Sequence, residues 1–157
     1  MPETTRTIPA ATPTIVDLPE QAAAVVDIEG PVAELPALLG EAFCLTEAAI
    51  TMSGAEITGP PFARYLGLGG RIRAEIGFPF RGALRPTERV RQTVLPGGRT
   101  VTTRHVGSYE TVATAWERGM AFQREHGLTP SGPGWECYLT GPDEPGPPVT
   151  EIFWPVS

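Results

Sequence analysis

Lysine and asparagine are absent from the 157 residues, and histidine and cysteine occur only twice each. A phosphate loop of the Walker type needs a lysine at the phosphates, so Gly67-Leu68-Gly69-Gly70 reads as a connection between strands rather than a nucleotide cradle. Cys44 and Cys137 have neither CxxC spacing nor a histidine cluster beside them. This excludes a sequence-encoded zinc site or dithiol motif, and both read as small buried hydrophobes. His105 and His126 lack the spacing of metal ligands, so no metal and no cofactor is expected. With glycine and proline at 18 each, the missing lysine and asparagine fit a GC-rich coding bias and carry no mechanism.

Positive charge is also scarce. The arginines are scattered, and the formal net charge is −6. A phosphate-binding surface is therefore disfavoured, and nucleic acid is not expected as a partner. No continuous run approaches the roughly 18 apolar residues of a membrane span, so no membrane partner is expected. Residues 1–13 lack the basic and apolar regions of a secretory signal and read as a flexible tail. A cytoplasmic setting is expected. There is no GxSxG elbow, and Ser108 reads as a helix cap rather than a nucleophile. With 41% apolar content, the chain suits one domain over 14–157.

The chain then repeats itself. Leu18-Pro19 and the segment up to Gly30 lie over Leu95-Pro96 and the segment up to Gly107 at a constant offset of 77 residues. In the same register Leu35, Leu38, Leu39, Ala42 and Phe43 fall on Val112, Ala115, Trp116, Gly119 and Met120. Each series has the i, i+3, i+4, i+7, i+8 stripe of a helix with one buried face. Further on, Tyr65-Leu66 meets Tyr138-Leu139, and Glu75 to Pro79 meets Glu151 to Pro155. Two halves, 14–80 and 89–156, are expected to pack about a pseudo-two-fold axis with a ligand groove between them.

Each half reads as a β-α-β-β unit with an extra N-terminal strand. The expected strands are Thr14 to Leu18, Ala22 to Ile28, Ala55 to Leu66 and Ile72 to Phe80, then Val90 to Leu95, Arg99 to Val106, Trp135 to Thr140 and Val149 to Val156. Pro96-Gly97-Gly98 is a hairpin signal. The second helix is expected from Tyr109 to His126, capped by Ser108 and stopped by Gly127. The first either starts late, with Pro36 in its first turn, or is kinked there. Gly141 to Pro148 joins the last two strands, and Arg81 to Glu88 links the halves. The expected fold class is α+β: an antiparallel sheet with both helices on one face, the other face curving into the groove.

Strand alternation puts Trp135, Cys137 and Leu139 on one side, expected under the helix, and Glu136 and Tyr138 on the other, in the groove. The same phase sends Phe62 and Leu66 inward and leaves Ala63 and Tyr65 beside Glu136. An acid present in only one half, with tyrosines from both, marks a ligand site. A carboxylate among aromatic rings attracts a cationic ligand; as a general base it would instead activate water, with a tyrosine assisting. The structural alternative is a Glu136–Arg104 ion pair with the tyrosines capping the core. Tyr109, in the first helical turn, reaches either the pocket rim or the surface.

The segments Arg104-His105-Val106-Gly107-Ser108-Tyr109, Trp135-Glu136-Cys137-Tyr138-Leu139 and Thr150-Glu151-Ile152-Phe153-Trp154-Pro155-Val156, taken in this order, resemble the GyrI-like domain family. That family is also seen as the effector-binding domain of multidrug-sensing regulators. The resemblance runs from about Thr14 to the C-terminus. It implies a pocket between the halves with Glu136 at its floor, Tyr65 and Tyr138 in its walls, and Phe78 and Trp154 in related positions of the final strands. If Glu75 and Glu151 face outward, those last two aromatics belong to the core. The resemblance implies a protein that captures bulky aromatic or cationic compounds, as in drug or toxin resistance. The alternative is a hydrolase opening the cyclopropane ring of DNA-alkylating natural products, with Glu136 and Tyr65 as catalytic residues; a weaker one is a gyrase-inhibitor-like protein. The expected partner is a bulky hydrophobic or cationic small molecule, and a protein partner is unknown.

Overall fold

A computed structural model describes residues 12–67, 71–140 and 144–157. The expected tail lies outside the described residues as far as residue 11, as do residues 68–70 and 141–143 of the two Gly-rich connections. Among the described residues the elements run β1 (Thr14–Leu18), β2 (Gln21–Pro31), α1 (Leu35–Met52), β3 (Glu56–Ile57), β4 (Phe62–Gly67), β5 (Arg71–Arg81), β6 (Val90–Leu95), β7 (Gly98–Val106), α2 (Val112–Glu125), β8 (Trp135–Tyr138) and β9 (Val149–Pro155). All strand pairs are antiparallel, in the order β1-β7-β9-β8-β4-β5-β2-β6, with β3 added to the end of β5. The fold is α+β.

The Leu-Pro turns do not close hairpins. β1 pairs with β7, and β6 pairs with β2. Only Pro19 and Glu20 separate β1 from β2, yet β1 is one edge of the sheet and β2 lies next to the other. Two residues span only about 7 Å, so the sheet must curl until its ends meet. The two connections touch there: a Cβ on Gly97 would lie 2.6 Å from the Glu20 nitrogen and 2.9 Å from the Leu18 carbonyl oxygen. From either edge the order meets the first strand of one segment, then the second, last and third strands of the other. A two-fold axis between β4 and β8 would generate that order.

The first helix takes the late start. A 3-10 turn at Val32–Glu34 precedes it, and Pro36 sits in its first turn, where a missing N–H costs nothing. The run Val32–Met52 has, by length and composition alone, what a membrane-crossing helix needs, with a mean hydropathy of 1.3. Here Ala42, Thr46, Ala49 and Ile50 are buried, and the helix contacts β2 and β5. The second helix begins later than expected. Tyr109–Thr111 is a 3-10 turn, and Ser108 precedes it rather than capping the α-helix; its carbonyl accepts from the Thr111 N–H and hydroxyl at 3.1 and 2.9 Å. Gly127, at φ +66°, ends the helix as expected, with the Leu128 N–H on the Gln123 carbonyl at 2.8 Å. The expected strand from Ala55 to Leu66 is split, because Pro60 and Pro61 supply no ladder N–H.

Both faces of the sheet are buried. Under α1 lie Ala24, Val26, Ala63, Ala74, Ile76 and Phe80; under α2 lie Val101, Ile152, Trp154 and Val156. The face turned away from the helices has its own cluster of Ala23, Val25, Phe62, Leu95 and Trp135, with Cys137 and Phe153 packed on it. This corrects the expected phase of β8. Trp135 and Cys137 pack away from the helices, and Glu136 and Tyr138 share the helix face. Alternation sorts the two sets correctly, but the choice of face assumed a single apolar side. Leu66 is likewise 37% exposed rather than inward. The site expected on the bare face thus lies instead on the helix face of β4 and β8, where side chains of α1 and α2 pack on Tyr138 and Glu136.

Candidate functional site

β8 is only four residues long and lies at the centre of the sheet, between β4 and β9. The ladder sets Glu136 between Ala63 and Ile152. Ala63 is small and fully buried, so it leaves the carboxylate room on the helix face. Glu136 is 5% exposed. The Tyr138 hydroxyl donates to its Oε1 at 2.8 Å, and the Trp116 Nε1–H donates to its Oε2 at 2.6 Å. The Tyr65 hydroxyl stands 3.5 Å from Oε1 and 3.3 Å from the Tyr138 hydroxyl. An indole N–H can only donate, so Oε2 acts as an acceptor.

Desolvating a carboxylate without a cation costs several kcal/mol, and each hydrogen bond to a charged group returns roughly 1.5–3 kcal/mol. The aromatic donors therefore offset the burial of Glu136 without neutralising it. The proposed Arg104 partner is elsewhere: Arg104 donates to Glu151 at 3.0 Å on the opposite face. Burial first, then the nearby carboxylate, pushes the Tyr65 hydroxyl far up in pKa. For Tyr138 the causes are burial, Tyr65 and Glu136, in that order. Both phenols stay protonated at neutral pH and serve as donors.

An aromatic shell surrounds this cluster. Trp116 meets Tyr65 edge to face at 6.3 Å and Trp154 at 5.2 Å. Phe43 of α1 meets Tyr138 at 6.1 Å and Phe78 at 5.8 Å, and Tyr109 meets Tyr138 at 5.8 Å. The structure thus brings Glu136, Tyr65 and Tyr138 into one cluster, with Tyr109 half exposed at its rim. Phe78 and Trp154 lie on the helix face, each one ring removed from the cluster. Glu75 and Glu151 do point the other way, yet the two aromatics they release reach the edge of the site as well as the core.

Trp116 and Phe43 were missed as site residues. Their helical spacing assigned both to the core, and the only hint otherwise was the indole N–H, which needs a partner when buried. Trp154 is placed by Gly119, where a Cβ would lie 2.0 Å from the indole. His105 is spent locally, its Nε2 lying 3.0 Å from the Ser108 carbonyl oxygen and 3.1 Å from the Thr111 hydroxyl. Among the described residues no group of three or more His, Cys, Asp or Glu is arranged to hold a metal ion.

Known proteins share this architecture. No curated protein matches the sequence. The EcmrR C-terminal domain superposes with a TM-score of 0.82 at 17% identity, covering 96% of this chain and 99% of that one. In the EcmrR–DNA complex the match spans 60% of the longer EcmrR chain. SAV2435 bound to tetraphenylphosphonium gives a TM-score of 0.64 at 14% identity, with 94% of each chain covered. A hydrolase encoded by lin2189 from Listeria innocua gives 0.62 at 18% identity, covering 99% of this chain and 96% of that one. At such identities these likenesses show the fold. The model of the GyrI-like small molecule binding domain matches residues 11–157. The chain therefore belongs to the GyrI-like small-molecule-binding domain family.

Proposed function

We propose that this domain captures bulky aromatic cations between α1 and α2, with Glu136 as the electrostatic anchor and a role in drug or toxin resistance. One observation carries the reading: Glu136 is buried on three neutral aromatic donors with no arginine or histidine bonded to it among the described residues. An aromatic cation supplies the missing charge, and the faces of Tyr65, Tyr138 and Trp116 add roughly 0.5–2 kcal/mol of cation–π attraction. SAV2435, of like fold, binds tetraphenylphosphonium. A bulky guest requires Trp116 or Tyr109 to swing aside, because their rings fill the space beside the carboxylate.

Tetraphenylphosphonium binding, read by calorimetry, is expected to weaken at least tenfold in Glu136→Gln, equivalent to about 1.4 kcal/mol. Binding of a neutral tetraphenyl analogue is expected to change little. Equal losses for both compounds would overturn the anchor.

A hydrolase reading draws on the pairing of a carboxylate with a phenol, and on the likeness to the lin2189 protein. Here the closer phenol is Tyr138, at 2.8 Å, rather than Tyr65, at 3.5 Å. Glu136 would take a proton from water as the water oxygen bonds to a ring carbon; the strained C–C bond breaks, its electron pair passes to a carbonyl oxygen conjugated with the ring, and a phenol protonates that oxygen. Water, like a bulky guest, must first move one of the present groups aside, and the anchor is the better-supported role because it needs no reacting geometry beyond that. Gain of one water by a cyclopropane-bearing alkylator, seen by mass spectrometry with wild type and not with Glu136→Gln, would reverse that order.

A further inference from the structure

On the sheet face turned away from the helices lies a cavity of about 130 Å³. Leu18, Phe62, Leu95, Trp135, Cys137 and Phe153 form its apolar lining. We propose that this cavity is a second binding site, for a single uncharged aromatic ring, separate from the Glu136 compartment.

The cavity follows from the curl of the sheet. Leu18 ends β1 at one edge, Leu95 ends β6 at the other, and Phe62 and Trp135 come from the central strands. The two edges approach at the crossing Leu-Pro connections, so the strands curve around this side and leave it partly open to solvent. Pro60, Pro79 and the uncharged polar Gln21 also line it. The volume matches the guest, since an apolar cavity of about 150 Å³ holds benzene, whereas drug-sized ligands need about 300 Å³ or more. Trp135 and Phe153 stack at 5.5 Å and 23°; Trp135 is buried beneath, and the partly exposed Phe153 ring is the aromatic surface a guest can meet.

The electrostatics select an uncharged guest. Glu151 reaches the cavity but is bonded to Arg104 at 3.0 Å. The Cys137 thiol is pushed up to about 12 by burial and by the Glu151 charge, so it stays neutral. This is the reverse of the Glu136 compartment, where the acid lacks a cation. β8 is the wall between them, facing one with Trp135 and Cys137 and the other with Glu136 and Tyr138.

Fluorobenzene titrated into the protein and followed by ¹⁹F NMR tests the site. Saturable binding is expected for wild type, unchanged in Glu136→Gln and at least tenfold weaker in Leu95→Trp, which fills the cavity. Because Leu95 is buried and its replacement can unfold the chain, wild-type crystals under xenon pressure provide a readout without mutation, with a xenon peak expected among Leu18, Leu95 and Trp135. Absence of saturable binding, loss of binding in Glu136→Gln, or xenon only beside Trp116 would each overturn the proposal. Tetraphenylphosphonium affinity, measured separately, leaves the reading of Glu136 to stand or fall by itself.

Discussion

Two glutamates in this sheet are equally buried, at 5% exposure, and are satisfied in opposite ways. Glu75 accepts from Arg64 and Arg91, each at 2.5 Å, and Arg91 also bonds Asp27. Its charge is neutralised inside the protein. Glu136 has aromatic donors instead. Trp116→Phe keeps the ring and removes the N–H, leaving Oε2 without its donor; a loss of about 1–3 kcal/mol is expected in denaturant unfolding. A double-mutant cycle with Glu136→Ala identifies the source, because the cost should largely vanish once the carboxylate is gone. At this scale much was legible in the chain. Period-2 alternation grouped Glu136 with Tyr138, and Ala63 with Tyr65, because side chains on a strand have only two directions to take. The Trp116 bond was not legible, since it joins residues 20 apart through the packing of a helix on a sheet.

The short central strand β8 and the helix α2 act together. Trp154 lies over Gly119 and packs edge to face on Trp116, which holds Glu136. Gly119→Ala would push the indole out of that seat. Overpacking of this kind costs typically 1–3 kcal/mol, and tetraphenylphosphonium binding should weaken in the same variant, because Trp116 loses its support. Normal affinity with reduced stability would separate the ring stack from the site. The helical stripe in the sequence showed that Gly119 faces inward and aligned it with Ala42 of α1. It did not show that an indole occupies the space, nor that the first turn at Tyr109–Thr111 would be 3-10.

In the whole molecule the decisive feature is the exchange of first strands across the curled sheet. β1 covers the edge of β7, and β6 covers the edge of β2. Removal of residues 1–18 should therefore unprotect those backbone amides of Gly98–Thr102 that face β1 in hydrogen exchange, while the rest of β7 stays paired with β9 and β2 keeps its pairing with β5 and β6. The opposite pattern, with β2 losing protection, would indicate a β1–β2 hairpin. The Pro-Gly-Gly signal favoured a hairpin because turn chemistry is local. The pairing actually made is set by which edges the curl brings together.

The amino-acid sequence by itself determined the α+β class, nearly all the strands, both helices, and the company of Glu136, Tyr65 and Tyr138. Those properties follow from periodicity, turn residues and the two-sidedness of a strand, all of them short-range. Tertiary structure alone decided which face of β8 meets the helices, that Trp116 rather than Arg104 holds the carboxylate, and that an apolar cavity lies on the other side of the strand. Each of these depends on a sheet curled until both faces are buried, and an apolar residue in a strand does not record which of two buried faces it will join.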